Sequence, residues 1–258
     1  NWTGRLPIRG MPLLLLFLVW LAGRVAVFAS ASLGVIATAA IDLAFLAVFA
    51  AAIARELVAG RNWRNLKVLG VVMLLFGGNA VFHFEAAETG VASGGFGMRI
   101  GLGAAVMLIM LIGGRVVPSF TRNWLAKRTR DNLPPGFSRL DLAAMASGAL
   151  AVAGWIAVPE RPETAATCLL ASVMQGWRLA RWGGARTWSE PLVLILHAGF
   201  AFVPIGFALV AVAILDPDLL LPTAALHAWT AGAIGVMTLA MMSRASLGHS
   251  GRALRSPP

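Results

Sequence analysis

The chain has 258 residues, of which 59% are hydrophobic and only 12% charged, with a mean hydropathy of +0.79. That composition excludes a compact water-soluble domain of this length and places the chain in a lipid bilayer. The net charge of +10 does not indicate nucleic acid, because the basic residues are dispersed between apolar runs and no nucleic-acid motif occurs.

A helix needs roughly 20 residues to cross the hydrocarbon core, and the chain contains such runs in succession. The first, Met11 to Ala29, follows Arg5 and Arg9 like a signal peptide, but more runs follow and no convincing cleavage site does, so it reads as a spanning helix. It carries Arg24. A tight turn near Ser30 to Ser32 leads into the second run, Leu33 to Leu57, which carries Asp42. The turn makes these two helices antiparallel neighbours, with Arg24 and Asp42 at similar depth. An unpaired charge in hydrocarbon is costly, so an Arg24–Asp42 ion pair facing the bundle interior is expected, with snorkelling of Arg24 to the surface as the alternative.

The third run, Leu66 to Ala87, places Asn79 and His83 on one helix face. Glu85 and Glu88 follow at its mouth, either as a copper or proton entry site or, more ordinarily, as solubilising charge. Met98 to Val117 is preceded and filled by glycines ("GGFGMRIGLGAAVM"), which permit close helix packing. Leu140 to Val158 and Glu163 to Trp182 come next, the latter with Cys168, the single cysteine. One cysteine forms neither an internal disulfide nor an all-thiolate metal cage, and here it reads as a small core residue.

Pro191 to Leu215 contains His197 and Pro204. The proline ring clashes with the carbonyl of Phe200 and kinks the helix one turn beyond the imidazole, which can open space for a cofactor. The last run, Leu220 to Ser246, holds His227 and leads to His249 in a Gly-flanked tail. The fold class is therefore an all-α polytopic transmembrane bundle of about eight spans, forming a single transmembrane domain over residues 1–258, with ends uncertain by ~2 to 4 residues.

With the N-terminus assigned to the cytoplasm, 18 of the 21 Lys and Arg residues fall on the cytoplasmic side, and only Arg24, Arg99 and Arg161 do not. The opposite loops carry Glu85, Glu88, Glu160, Glu163, Asp216 and Asp218. This positive-inside pattern predicts that both termini are cytoplasmic. Asn-Trp recurs at Asn1-Trp2, Asn62-Trp63 and Asn123-Trp124, with Arg186-Thr187-Trp188 near the next place. Internal duplication of a two-helix unit and independent enrichment of tryptophan at membrane interfaces both account for it. No Walker A loop, Gly-x-Ser-x-Gly elbow or His-Glu-x-x-His helix occurs, so the familiar hydrolase and phosphate-binding chemistries have no support.

Four stretches carry a family resemblance: "NAVFHFE" (Asn79 to Glu85), "GGRVVPSFTRNWL" (Gly113 to Leu125), "LVLILHAGFAFVPIGFALV" (Leu192 to Val210) and "LHAWTAGAIGVMTLAMMSRASLGHSGR" (Leu226 to Arg252). Together they resemble the NnrS family, multi-pass proteins of the bacterial inner membrane that bind haem and copper in the response to nitric oxide. The resemblance implies b-type haem, copper, and nitric oxide or a related small ligand reaching its site through the bilayer. It also implies about twelve spanning helices, so about four are expected to precede Asn1. Turnover of nitric oxide, sensing and protection of other iron centres all remain compatible with it, as does any oligomeric state.

For a haem, depth selects the ligands. At ~1.5 Å per residue His83 lies about 6 Å and His227 about 10 Å below the outer ends of their spans, so these two form the expected axial pair and the expected metal-binding residues. His197 is a candidate cofactor contact in the inner third, and Arg24 a candidate partner for a haem propionate. The competing readings are a hydrogen bond to a headgroup or to a neighbouring helix for His83, an interhelical bond for His227 and solvation for His249. Met107, Met110, Met237 and Met241 read as packing residues, so no copper ligands are assigned. The alternative function is a secondary transporter or ion-coupled permease whose site uses Arg24, Asp42 and the Pro204 kink without a cofactor. A third reading is a structural membrane subunit that docks a partner through its basic inner face.

Overall fold

The computed structural model describes residues 8–90, 94–128 and 131–251. Asn1-Trp2, Arg5, Arg130, Arg252 and Arg255 lie outside the described residues. Among those described there is no strand, and every predicted run is helical. The long helices are α1 (Met11–Phe28), α2 (Val35–Ala59), α3 (Leu66–Thr89) and α4 (Phe96–Leu125), followed by α5 (Arg139–Ala157), α6 (Pro162–Ala180) and α7 (Pro191–Leu215). The last, α8, runs in three parts, Pro222–His227, Ala228–Val236 and Met237–His249, so the backbone at His249 is still helical.

Seven of these helices are long and apolar enough to cross a membrane, and α6 is not among them. The reason is visible in its sequence. Thr164, Gln175 and Arg178 lie on its buried side, so its polar groups face protein while Leu169, Leu170 and Val173 are exposed. Elsewhere the outward residues are equally apolar: α1 buries only Gly23 and Ala26 and exposes Leu13, Leu14, Phe17 and Leu18. A surface of that kind is covered by lipid.

The helices form two compact units, Asn1–Ala104 and Ala105–Pro258, with the division falling inside α4. In unit 1, α1 turns into α2 through a single helical turn, Ser30–Leu33, and Gly34 at φ +77°, a backbone conformation that suits glycine. α3 and the first part of α4 approach closely through glycines. A Cβ on Gly78 would lie 2.8 Å from the Gly101 nitrogen, so the small residues of this stretch set the helix spacing, as expected.

Unit 2 is centred on α7. Phe200, Val203 and Phe207 are completely buried along it, and Trp155 and Phe207 meet Trp229 edge to face at 5.3 and 5.0 Å. Two stretches widen to π-helix, Ile109–Gly113 in α4 and Ala228–Val236 in α8. The Asn-Trp pairs sit in different settings. Trp63 starts a short 3-10 turn before α3, whereas Asn123-Trp124 falls in the last turn of α4, which favours interfacial placement over a duplicated unit.

Candidate functional site

The expected Arg24–Asp42 pair is formed, with the Arg24 guanidinium donating to Asp42 Oδ1. Asp42 is buried to 3% exposure, while Arg24 is half exposed. A carboxylate has more acceptor sites than one guanidinium nitrogen fills, and the helix face of Asn79 and His83 supplies the rest. Asn79 Nδ2 donates to Asp42 Oδ2 at 2.8 Å and His83 Nε2 donates to the same oxygen at 3.1 Å. Asp42 thus gathers donors from α1 and α3. The backbone permits this because residue 23 is glycine. A Cβ there would lie 2.9 Å from Asp42 Oδ1.

The pair and the Asn79/His83 face were separately legible, and their convergence on one carboxylate was not. His83 is buried rather than turned to a headgroup. Because the carboxylate only accepts, a proton is fixed on Nε2, and Nδ1 is the nitrogen that the bond leaves over. The same cluster borders a partly open cavity of about 340 Å³, whose walls include Trp20, Arg24, Asp42, Phe45, Asn79 and Phe82. Glu85, near the end of α3, is not idle charge: its carboxylate accepts from the backbone nitrogens of Phe96 and Gly97 at 2.7 and 3.0 Å. It therefore satisfies N–H groups at the start of α4.

In unit 2, His227 is exposed on α8 and its Nδ1 donates to the Thr223 carbonyl, one turn earlier, at 3.0 Å. That bond leaves Nε2 on an open face. His197 is enclosed. Its Nε2 lies 2.7 Å from Thr121 Oγ1, whose hydroxyl donates to the Val117 carbonyl, so the histidine donates and the threonine oxygen accepts. Its Nδ1 is buried without a partner, against Gly184, where a Cβ would lie 2.6 Å away, and Trp182 packs on the ring.

At the Pro204 kink two neighbouring helices reach the backbone of α7. Trp229 Nε1 donates to the Val203 carbonyl at 3.3 Å and Ser172 donates to the Pro204 carbonyl at 2.8 Å. Two backbone acceptors around the proline, the carbonyls of Val203 and Pro204, are thereby used in packing.

The sequence reading missed a second polar centre. Arg178, counted among inner-side basic residues, is 1% exposed and its Nε donates to Asp141 Oδ1 at 3.0 Å. Its Nη1 donates to the Met110 carbonyl at 3.1 Å and its Nη2 to the Gly114 carbonyl at 3.4 Å. These acceptors lie in and beside the π segment of α4, where the wider winding alters the regular ladder of backbone bonds. Gln175, also fully buried, donates to the Ala144 carbonyl and to the Met110 sulfur. One signal was available: Ser138-x-x-Asp141 before an apolar run is a capping pattern. Asp141 Oδ2 does accept from the backbone and hydroxyl of Ser138, leaving Oδ1 for the arginine.

An all-helical chain with apolar outward faces, seven helices able to cross a bilayer and buried charged clusters between them is a polytopic membrane protein. The NnrS protein family matches it over residues 1–258, its whole length, and the chain belongs to that family. No curated protein matches it. No solved structure matches it either.

Proposed function

We propose that the chain binds b-type haem in a bacterial inner membrane and relieves nitric oxide or nitrosative stress, with His83 and His227 as iron ligands. The observation that carries this reading is the same in both residues: one ring nitrogen donates to an oxygen acceptor, Asp42 or the Thr223 carbonyl, and the other nitrogen has no protein partner among the described residues. Ligating histidines are oriented in this way, the acceptor fixing the tautomer and the ring plane. Each imidazole, taken by itself, therefore fits the role of an iron ligand. Haem, when bound, would supply redox-active iron.

The protein's own part is orientation and exclusion. Asp42 holds the His83 ring and keeps its proton on Nε2, while Arg24 and Asn79 hold Asp42 in turn. Exposed apolar helices leave the route for a small uncharged molecule through lipid rather than water. His197 has the same hydrogen-bond pattern, but Gly184 and Trp182 close over it, so it serves unit 2 as packing. Copper has less support, because no three His, Cys, Asp or Glu side chains converge among the described residues, and no step is assigned to it.

The test is the absorption spectrum of the purified protein. A Soret band that shifts on reduction is expected, removed or converted by His83→Ala and by His227→Ala and left unchanged by His249→Ala. A colourless protein with transport activity supports the permease instead. Loss of the band in His197→Ala alone, with native spectra for the other two, overturns the ligand assignment.

A further inference from the structure

We infer that the cavity of unit 1 is a binding site for the headgroup of a lipid-soluble quinone or quinol. Its chemistry is read from what the lining still offers once internal bonds are counted. Asp42 already accepts from Arg24, Asn79 and His83. The rest of the Arg24 guanidinium and the Asn79 carboxamide oxygen carry no protein hydrogen bond among the described residues. One set of N–H donors and one carbonyl acceptor thus face a space walled by the rings of Trp20, Phe45 and Phe82. A quinone ring presents oxygens that accept from the guanidinium, its reduced form presents hydroxyls that donate to the carboxamide, and its faces suit aromatic walls.

Charge and size narrow the class. Arg24 and Asp42 are the lining's charged side chains, and they neutralise each other. A further unpaired anion or cation brought into this apolar setting would be desolvated without a counter-charge, whereas a neutral ring is not penalised. A volume of about 340 Å³ lies at the small end of ligand sites, suited to a substituted six-membered ring and too small for a porphyrin. The cavity lies among α1 to α4, all able to cross a membrane, so its ligand is supplied from the bilayer, where quinones dissolve. The inference does not depend on the haem reading, since His83 is not part of the lining.

The test uses the full chain in phosphatidylcholine nanodiscs and a tritiated, decyl-tailed para-benzoquinone as the probe. Saturable binding is expected in the wild type. Gly101→Phe puts a ring beside the space, where its Cβ meets only the end of Leu75 at 4.0 Å, and binding should fall by at least roughly tenfold. Phe45→Leu keeps the packing apolar but removes a ring face, and should weaken binding by about two- to tenfold. No saturable binding in the wild type, or undiminished binding in both variants, overturns the proposal. So does displacement of the probe by phosphatidylglycerol, which marks an anion site. Haem absorbance in the same samples keeps the readings separable: quinone binding without a haem band removes only the earlier one.

Discussion

Arg178 and Asp141 form an ion pair at 3.0 Å with both side chains withdrawn from solvent. The pair ties α6 to the capped start of α5, and the arginine reaches on to two carbonyls of α4. A buried pair of this kind is costly to break from one side, because the remaining charge keeps its desolvation penalty. Arg178→Met is therefore expected to destabilise the protein by roughly 3–5 kcal/mol, and the double variant with Asp141→Asn to recover part of that loss. Unfolding in detergent, followed by tryptophan fluorescence, measures both. A methionine variant as stable as the wild type contradicts the assignment.

Gly23 governs the other charged cluster. A methyl group at this position must displace Asp42, so Gly23→Ala should cost about 1–3 kcal/mol, and Gly23→Val more. The readout is the melting temperature of the detergent-solubilised protein, with Gly70→Ala as the control, since nothing lies within 4 Å of a Cβ there. Equal melting temperatures for the alanine variants at 23 and 70 rule out the close contact.

Thr121 holds His197 by its hydroxyl at 2.7 Å. Thr121→Val keeps the shape but leaves a buried ring nitrogen without an acceptor, at an expected loss of about 1–3 kcal/mol. Thr121→Ser should retain most of the stability. If the serine variant is as weak as the valine variant, packing of the methyl rather than the hydrogen bond explains the residue.

Orientation follows from the basic residues. A reporter active only in the cytoplasm should be active when fused after Arg252 and inactive when fused at Asp216. The reverse pattern inverts the assignment of sides, and equal activity at both points places them in one compartment.

The sequence by itself determined where the helices lie, because length and apolarity in a bilayer leave the backbone one way to satisfy its hydrogen bonds. Helix α7 matches its predicted bounds, and the others shift at their ends. Arg24 and Asp42 were legible as a pair for the same reason, since two charges across one tight turn have few other partners. What only the tertiary structure decided is which groups from helices distant in the chain share an acceptor. Nothing in the local pattern around His83 states that its proton goes to Asp42, or that Arg178 turns inward to Asp141 instead of outward to the inner surface. Depth along a helix can be counted from its sequence, but the rotation of that helix about its axis is set by neighbours. At Gly23 and at the close contacts of Gly78 it is the absence of a side chain that lets the neighbour approach, an effect that exists only once the two helices are packed.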